Sequence, residues 1–343
     1  MARSYILVVV VVIQLICCYD AFKFVNSTYY NSHRLDDARQ WCNYTSSTPE
    51  PNVIAYNRMP KAGSSTMEYL FNELSSSNKF GRWAAESKFW GDLDEAEFAT
   101  LRREFEKIVT SKLQNTPSKQ IIIDGHWSQT MFKPSKISAE RVEYIQLIRD
   151  CQSRRKSLFF YGLYDSVEAL KVKSDSAKFK QRIREELRIA DRNISVEDCL
   201  SDYECLKASG KLTYTSNREL KYICGPNCNR TYGSYVEGAL KNLHDPEAFT
   251  VVGVLDILQR HLGMLECAYP KMLKGILNLF NKNHMFVRVG SRDDTSPALK
   301  RLLDEICHRD TNPYIEIYEE AIEVLKYRYH YARKNHNKCC RKA

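Results

Sequence analysis

The sequence predicts an α/β domain with a central parallel sheet flanked by helices. Three observations carry that expectation. Apolar, strand-forming runs recur at residues 54–57, 120–123, 142–148 and 249–254. Stretches with apolar residues at helical spacing alternate with them, at residues 92–113, 153–164, 256–268 and 314–332. Polar residues suited to chemistry follow the ends of the strand runs, which is where open parallel sheets bind ligands. A chain of 343 residues, 43% hydrophobic and 11% aromatic, suffices for one large domain with a substantial core. No internal repeat or low-complexity tract is visible.

The elements follow in chain order. Met1-Ala2-Arg3-Ser4 precedes an apolar run from Tyr5 to Tyr19 that only Gln14 interrupts. Residues 1–19 read as a short signal anchor or a cleaved signal peptide. The run is short against the roughly 20 residues of a usual span, a requirement that thin early-secretory membranes relax. Cys17-Cys18-Tyr19-Asp20 is a poor cleavage site. Residues 20–52 are polar and read as an irregular stem. A domain over residues 53–334 follows, and residues 335–343 form a basic tail carrying Cys339 and Cys340.

The first strand breaks at Pro60. The chain then passes Lys61 and Gly63 and enters Ser64-Ser65-Thr66-Met67, which reads as a helix start. A strand, a small-residue loop and a helix N-terminus expose backbone N–H groups to which the helix dipole adds positive potential. With Lys61 supplying a full charge, this is a phosphate site. It is not the usual nucleotide-triphosphate loop, because the lysine precedes the glycine. A second candidate follows the strand at residues 142–148. Arg149 stands at its end and Ser157 lies eight residues on, in a helical stretch. A planar guanidinium and a hydroxyl suit a second phosphate. Two such sites on one sheet imply a ligand with two separated phosphate groups.

These two segments resemble the 5′-phosphosulfate loop and the 3′-phosphate motif of Golgi sulfotransferases. Asp124-Gly125-His126-Trp127-Ser128, the cysteine pairs Cys199/Cys205 and Cys224/Cys228, and Val251-Val252-Gly253-Val254 narrow the match. In that order they resemble the heparan sulfate 2-O-sulfotransferase and uronyl 2-O-sulfotransferase family, from about Val53 to about Arg333. The resemblance implies a P-loop-like sulfotransferase fold with 3′-phosphoadenosine 5′-phosphosulfate (PAPS) as sulfate donor. It also implies a uronic acid O-2 in heparan sulfate or chondroitin/dermatan as acceptor. Histidine is the natural proton acceptor near neutral pH, and His126 falls on the family's catalytic histidine. Lys61 would offset charge developing on the 5′-phosphate as the S–O bond breaks. Arg58, Ala62, Gly63, Ser64, Ser65 and Thr66 would cradle the phosphosulfate, and Arg149 and Ser157 would hold the 3′-phosphate. Arg288 lies where the family carries a substrate-binding arginine. No metal is needed, and no metal-ligand spacing stands out. Zinc at the Cys199/Cys205 and Cys224/Cys228 clusters is the alternative to disulfides there.

Charge and topology agree with a luminal glycan enzyme. Net charge is +9, with twelve Lys/Arg against seven Asp/Glu from Arg149 to Arg192, and seven Lys/Arg without an acid from Lys326 to Ala343. Basic surfaces favour polyanions, and a luminal one meets glycosaminoglycans rather than nucleic acid. Asn26, Asn43, Asn193 and Asn229 begin glycosylation sequons, and twelve cysteines suit an oxidising compartment. The expected location is the Golgi membrane, single-pass type II. The family's homotrimers make that assembly an expectation, and Cys339 and Cys340 offer a crosslink between subunits. Two departures stand out. Asp124 occupies the place of a second family histidine, where it would orient His126 or repel an acidic glycan. Cys151 replaces the proline after Arg149-Asp150, which is expected to loosen that turn. Two other readings remain: a sulfotransferase with another acceptor or position, and a non-catalytic heparin-binding protein of the same fold.

Overall fold

The computed structural model describes residues 33–84, 95–126, 136–137, 140–168, 193–209, 232–282, 296–308 and 312–342, with short pieces between 181 and 224. A helix over residues 33–47 (α1) leads into strand β1 (Val53–Asn57), helix α2 (Ser64–Ser77), strand β2 (Gly81–Ala84), helix α3 (Glu95–Asn115) and strand β3 (Ile121–Gly125). Strands β4 (Lys136–Ile137) and β5 (Glu140–Ile148) are followed by helix α4 (Cys151–Glu168) and the short helices α5 (Val196–Ser201) and α6 (Tyr203–Ala208). Helix α7 (Tyr232–His244), strand β6 (Val251–Val254), helix α8 (Leu258–Ala268), α9 (Ile276–Lys282), α10 (Pro297–Ile306), α11 (Tyr314–Lys334) and α12 (His336–Cys339) complete the order.

Five strands run parallel in the spatial order β2-β3-β1-β5-β6, and β4 forms a short antiparallel hairpin on the start of β5. The α/β architecture and parallel sheet are those expected from the sequence. All five residues of β1 and of β3 are buried, because helices cover both faces of the sheet. That is why these strands read as continuous apolar runs rather than alternating ones. Gly253 in β6 is needed for close approach: a Cβ there would lie 2.0 Å from Nδ1 of His261 on α8. A second apolar cluster, Phe159, Leu187, Ile189, Leu206, Leu299, Leu302 and Leu303, joins α4 to α6 and α10.

Both ends of the described chain differ from expectation. Residues 33–47 are helical and packed rather than an irregular stem. Trp41 is fully buried and donates its indole N–H to the Thr250 carbonyl at 2.7 Å. Asp37 pairs with the buried Arg328 of α11 at 2.7 Å. The basic tail is folded too. Arg341 is 7% exposed and donates to both oxygens of Glu143 on β5, at 2.6 and 3.0 Å. Disulfides join Cys42 to Cys339 and Cys267 to Cys340, so the tail cysteines close bonds within the chain rather than between subunits. Cys199 is bonded to Cys205, and Cys151 to Cys307. The turn at Cys151 is therefore tied down, not loosened.

Among the described residues no helix is long and apolar enough to cross a membrane. The anchor or signal expected at residues 1–19 lies outside them, as do Asn26, Cys228, Asn229 and Arg288. Cys224 is buried and disulfide-bonded. Asn43 and Asn193 are exposed.

Candidate active site

The candidate site lies at the carboxyl ends of β1, β3 and β5, where the connections leave the sheet in opposite directions. Asn57 pairs with Gly125 on one side and Gln146 on the other, so the segments that follow emerge side by side. The Arg58 N–H donates to the Gly125 carbonyl at 2.7 Å and extends the ladder one residue further. His126 follows directly.

The β1–α2 loop turns through two left-handed residues, Lys61 (φ 64°) and Gly63 (φ 84°). At Gly63 conformation and packing both call for glycine, since a Cβ would come within 2.7 Å of Leu255 Cδ1. Gly63 has no side chain to cap α2, and the first turn of α2 holds no acid. The turn is thus electropositive and receives no cap from its leading residue, which suits an anion. Ser64 is half-buried, Ser65 is exposed, and Ala62 and Thr66 are buried.

Arg149 leaves the end of β5 and donates from Nη1 to the Lys61 carbonyl at 3.2 Å. The structure thus brings the two candidate phosphate segments against each other. Tyr314 of α11 holds the β5 end, its hydroxyl donating to the Arg149 carbonyl at 2.6 Å. Asp150 accepts from the Ser153 N–H at 2.7 Å at the start of α4. Ser157 lies half-buried two turns into α4. Sequence reading missed Arg154. It is 4% exposed, points its Nη1 to the Pro60 carbonyl at 3.5 Å and lies 5.8 Å from the centre of the Tyr314 ring. The other basic residues up to Lys156 were readable only as a helix face, and nothing local marked Arg154 or its neighbour Arg155 as buried.

His126 Nδ1 lies 2.6 Å from the Arg58 carbonyl oxygen. A carbonyl only accepts, so Nδ1 carries the proton and the basic lone pair is on Nε2. Burial, and then the neighbouring Arg58 guanidinium, hold its pKa down at about 4, so the ring is neutral near neutral pH.

Arg58 itself turns away from the loop. Its side chain pairs with Glu68 of α2 and, at 3.2 Å, with Asp124 of β3. Arg82 of β2 meets the other Asp124 oxygen at 2.8 Å. Asp124 is completely buried, and burial raises its pKa against the opposing pull of Arg82 and Arg58. Asp124 therefore faces two arginines rather than His126. It reaches the histidine through Arg58, whose side chain it holds and whose carbonyl takes the imidazole N–H. Arg82 and Glu68 were not singled out from sequence. The one signal was the acid closing an otherwise apolar strand, Ile121-Ile122-Ile123-Asp124, which implies a buried cation partner.

Among the described residues no group of three or more His, Cys, Asp or Glu side chains is arranged to hold a metal ion. No protein-family model matches the chain. It is similar to the uronyl 2-sulfotransferases of Mus musculus and Homo sapiens, each 26% identical over 262 residues. Those alignments cover 74% of this chain and 56% of each relative, so the chain spans little more than half the length of the curated relatives it matches. The similarity supports a relationship to sulfotransferases without singling out a member.

Proposed function

We propose that the protein is a glycosaminoglycan uronyl 2-O-sulfotransferase. In this reading it transfers a sulfuryl group from PAPS to O-2 of iduronate or glucuronate in heparan sulfate or chondroitin/dermatan. The observation that carries the reading is the meeting of the Arg149 guanidinium with the Lys61 loop, beside a neutral His126 on the adjacent strand end. The relatives' own names supply the reaction class.

When bound, PAPS supplies the sulfuryl group. Lys61 and the N–H groups at Gly63, Ser64, Ser65 and Thr66 bind the 5′ end, where the first turn of α2 accepts negative charge, while the Ala62 N–H goes to the Met59 carbonyl and shapes the loop. Arg149 and Ser157 take the 3′-phosphate. His126 Nε2 accepts the proton of the acceptor hydroxyl, while the Arg58 carbonyl keeps the ring in the tautomer this needs. Arg58 contributes through that carbonyl and its pairing with Asp124, and Arg288 is assigned to the uronate or a sulfate of the acceptor. The protein is placed in the Golgi membrane as a single-pass type II chain with Asn26, Asn43, Asn193 and Asn229 as luminal glycosylation sites. A homotrimer is its proposed assembly.

The test is a transfer assay with labelled PAPS on desulfated N-sulfated heparin, chondroitin and dermatan, using the full chain and His126→Ala. Label at uronate O-2 that vanishes in the variant supports the reading. Label at another position would overturn the acceptor assignment, and no label on any glycan would overturn the activity.

A further inference from the structure

A cavity of about 370 Å³ lies away from the candidate site, between α8, α11 and the tail. Its wall residue Arg341 is bonded to Glu143, which pairs with Ile54, the second residue of β1. The cavity is therefore at the amino ends of the strands. The candidate active site is at their carboxyl ends, roughly 15–20 Å away by the rise of a five-residue strand.

The lining has a particular chemistry. Tyr329 contributes an aromatic ring, and Arg333 sits 5.9 Å from its centre. Lys274, Arg333 and His336 are exposed on the rim. The one acid there, Glu266, already accepts the Gly275 N–H at 2.8 Å. No acid occurs after Glu323, so the end of α11 and the tail bring only positive charge to the lining. The Cys267–Cys340 and Cys42–Cys339 disulfides and the buried Arg341–Glu143 pair brace the walls, so the cavity is preformed. An apolar floor with an aromatic face and a cationic rim fits a saccharide ring bearing carboxylate or sulfate. A simple phosphate would leave the apolar floor unused.

We infer that this cavity is a second anionic-saccharide site, which grips a distal stretch of the same acceptor chain while another stretch is at the transfer site. The inference rests on the reading of the acceptor as a polyanionic glycan. It predicts length dependence: chains that span both ends of the sheet gain affinity, and short oligosaccharides do not.

The test compares the full chain with the combined variant Lys274→Ala/Arg333→Ala/His336→Ala and with Lys112→Ala/Lys300→Ala, which removes exposed charge elsewhere. The probes are a short and a long size-defined heparin oligosaccharide, and phosphatidylserine/phosphatidylcholine vesicles. All three substituted positions are exposed, so thermal stability is expected to be unchanged. The cavity variant is expected to bind long heparin about tenfold more weakly, to elute from immobilised heparin at lower salt, and to bind the short oligosaccharide normally. Equal losses in the two variants would overturn the site, as would a loss confined to vesicle binding. Binding is read without turnover, so failure of sulfuryl transfer would remove the proposed activity and leave this affinity difference to be judged by itself.

Discussion

Gly253 and His261 occupy the same point, where β6 passes under α8. His261 is fully buried, and among the described residues neither ring nitrogen has a hydrogen-bond partner. Gly253→Ala would press a methyl group against that ring and is expected to lower stability by about 1–3 kcal/mol, read as a fall in Tm. The Val-Val-Gly-Val run was readable as a buried strand, but the reason for its glycine was not, because it lies on a helix eight residues later. The same limit applied to the candidate site. Lys61 and Gly63 were legible because strand-loop-helix grammar marks them, and His126 because it falls on the catalytic histidine of the family the chain resembles. Arg82 was not, since its partners are Asp124 on the adjacent strand and Asn72 on α2, which only the fold brings to it. For His126 the prediction concerns acidity. The free protein's imidazole has its pKa held at about 4, so kcat/KM should keep its basic form well below the usual 6.5 and fall only on approach to pH 4. Two bound anions would favour the protonated ring, so the acid limb of kcat should lie at higher pH than that of kcat/KM. Coincident limbs at 6.5 would remove His126 as the base. His126→Ala is expected to lower kcat by about 10²–10⁴-fold.

At the scale of elements, helix α1 shows what a sequence hides. Its inward residues, Ala38, Trp41, Cys42 and Thr45, do follow helical spacing, but Asp37 and Thr45 are polar and the stretch reads as solvated. Its burial depends on partners roughly 200 to 300 residues away: the Thr250 carbonyl, Arg328 and Cys339. The edge strand β2 was equally unreadable, with three half-buried residues, one exposed residue and a glycine start. In the tail the informative residue was the partner: the buried Glu143 of β5 takes two cations, Arg341 at 2.6 Å and Arg141 from its own strand at 2.8 Å. Removing one member of such a pair leaves the other charged and buried. Arg328→Ala and Arg341→Ala are each expected to destabilise by about 3–5 kcal/mol in denaturant unfolding, against less than about 1 kcal/mol for Arg39→Ala at the exposed pair with Asp36.

For the whole molecule, two histidines set opposite slopes of stability against pH. His261 is held down at about 3 by burial, so the unfolded chain binds its proton first. Stability is present above pH 6.5 and is lost as pH falls below it. His244 is raised to about 9 by its hydrogen bonds to Asp37 and then Glu320. Its contribution is complete below pH 6.5 and is lost as pH rises through 9. Its side chain is 39% exposed, so solvent screening limits that contribution to about 1 kcal/mol. The two together place maximum stability between about pH 6 and 7. Replacing His244 with Gln should flatten the alkaline side of a Tm profile, and because His244 also pulls the Asp37 and Glu320 carboxyls down, it should lessen the loss through the carboxylate range as well. A profile still falling from pH 6.5 to 9 in that variant would show that another group is responsible.

The bond between Cys42 and Cys339 spans a sequence separation of 297, and it closes beside the Trp41 and Thr45 anchors of the same helix. During synthesis residue 42 is made long before residue 339 exists. In that interval the Cys42 thiol has no native partner, while Cys151, Cys199 and Cys205 arrive one after another. Helix α1 therefore cannot close its disulfide until residue 339 has been made. A chain stopped short of residue 339 keeps the Cys42 thiol and lacks the Cys339 carbonyl to which Thr45 donates, so one end of α1 is left unclasped.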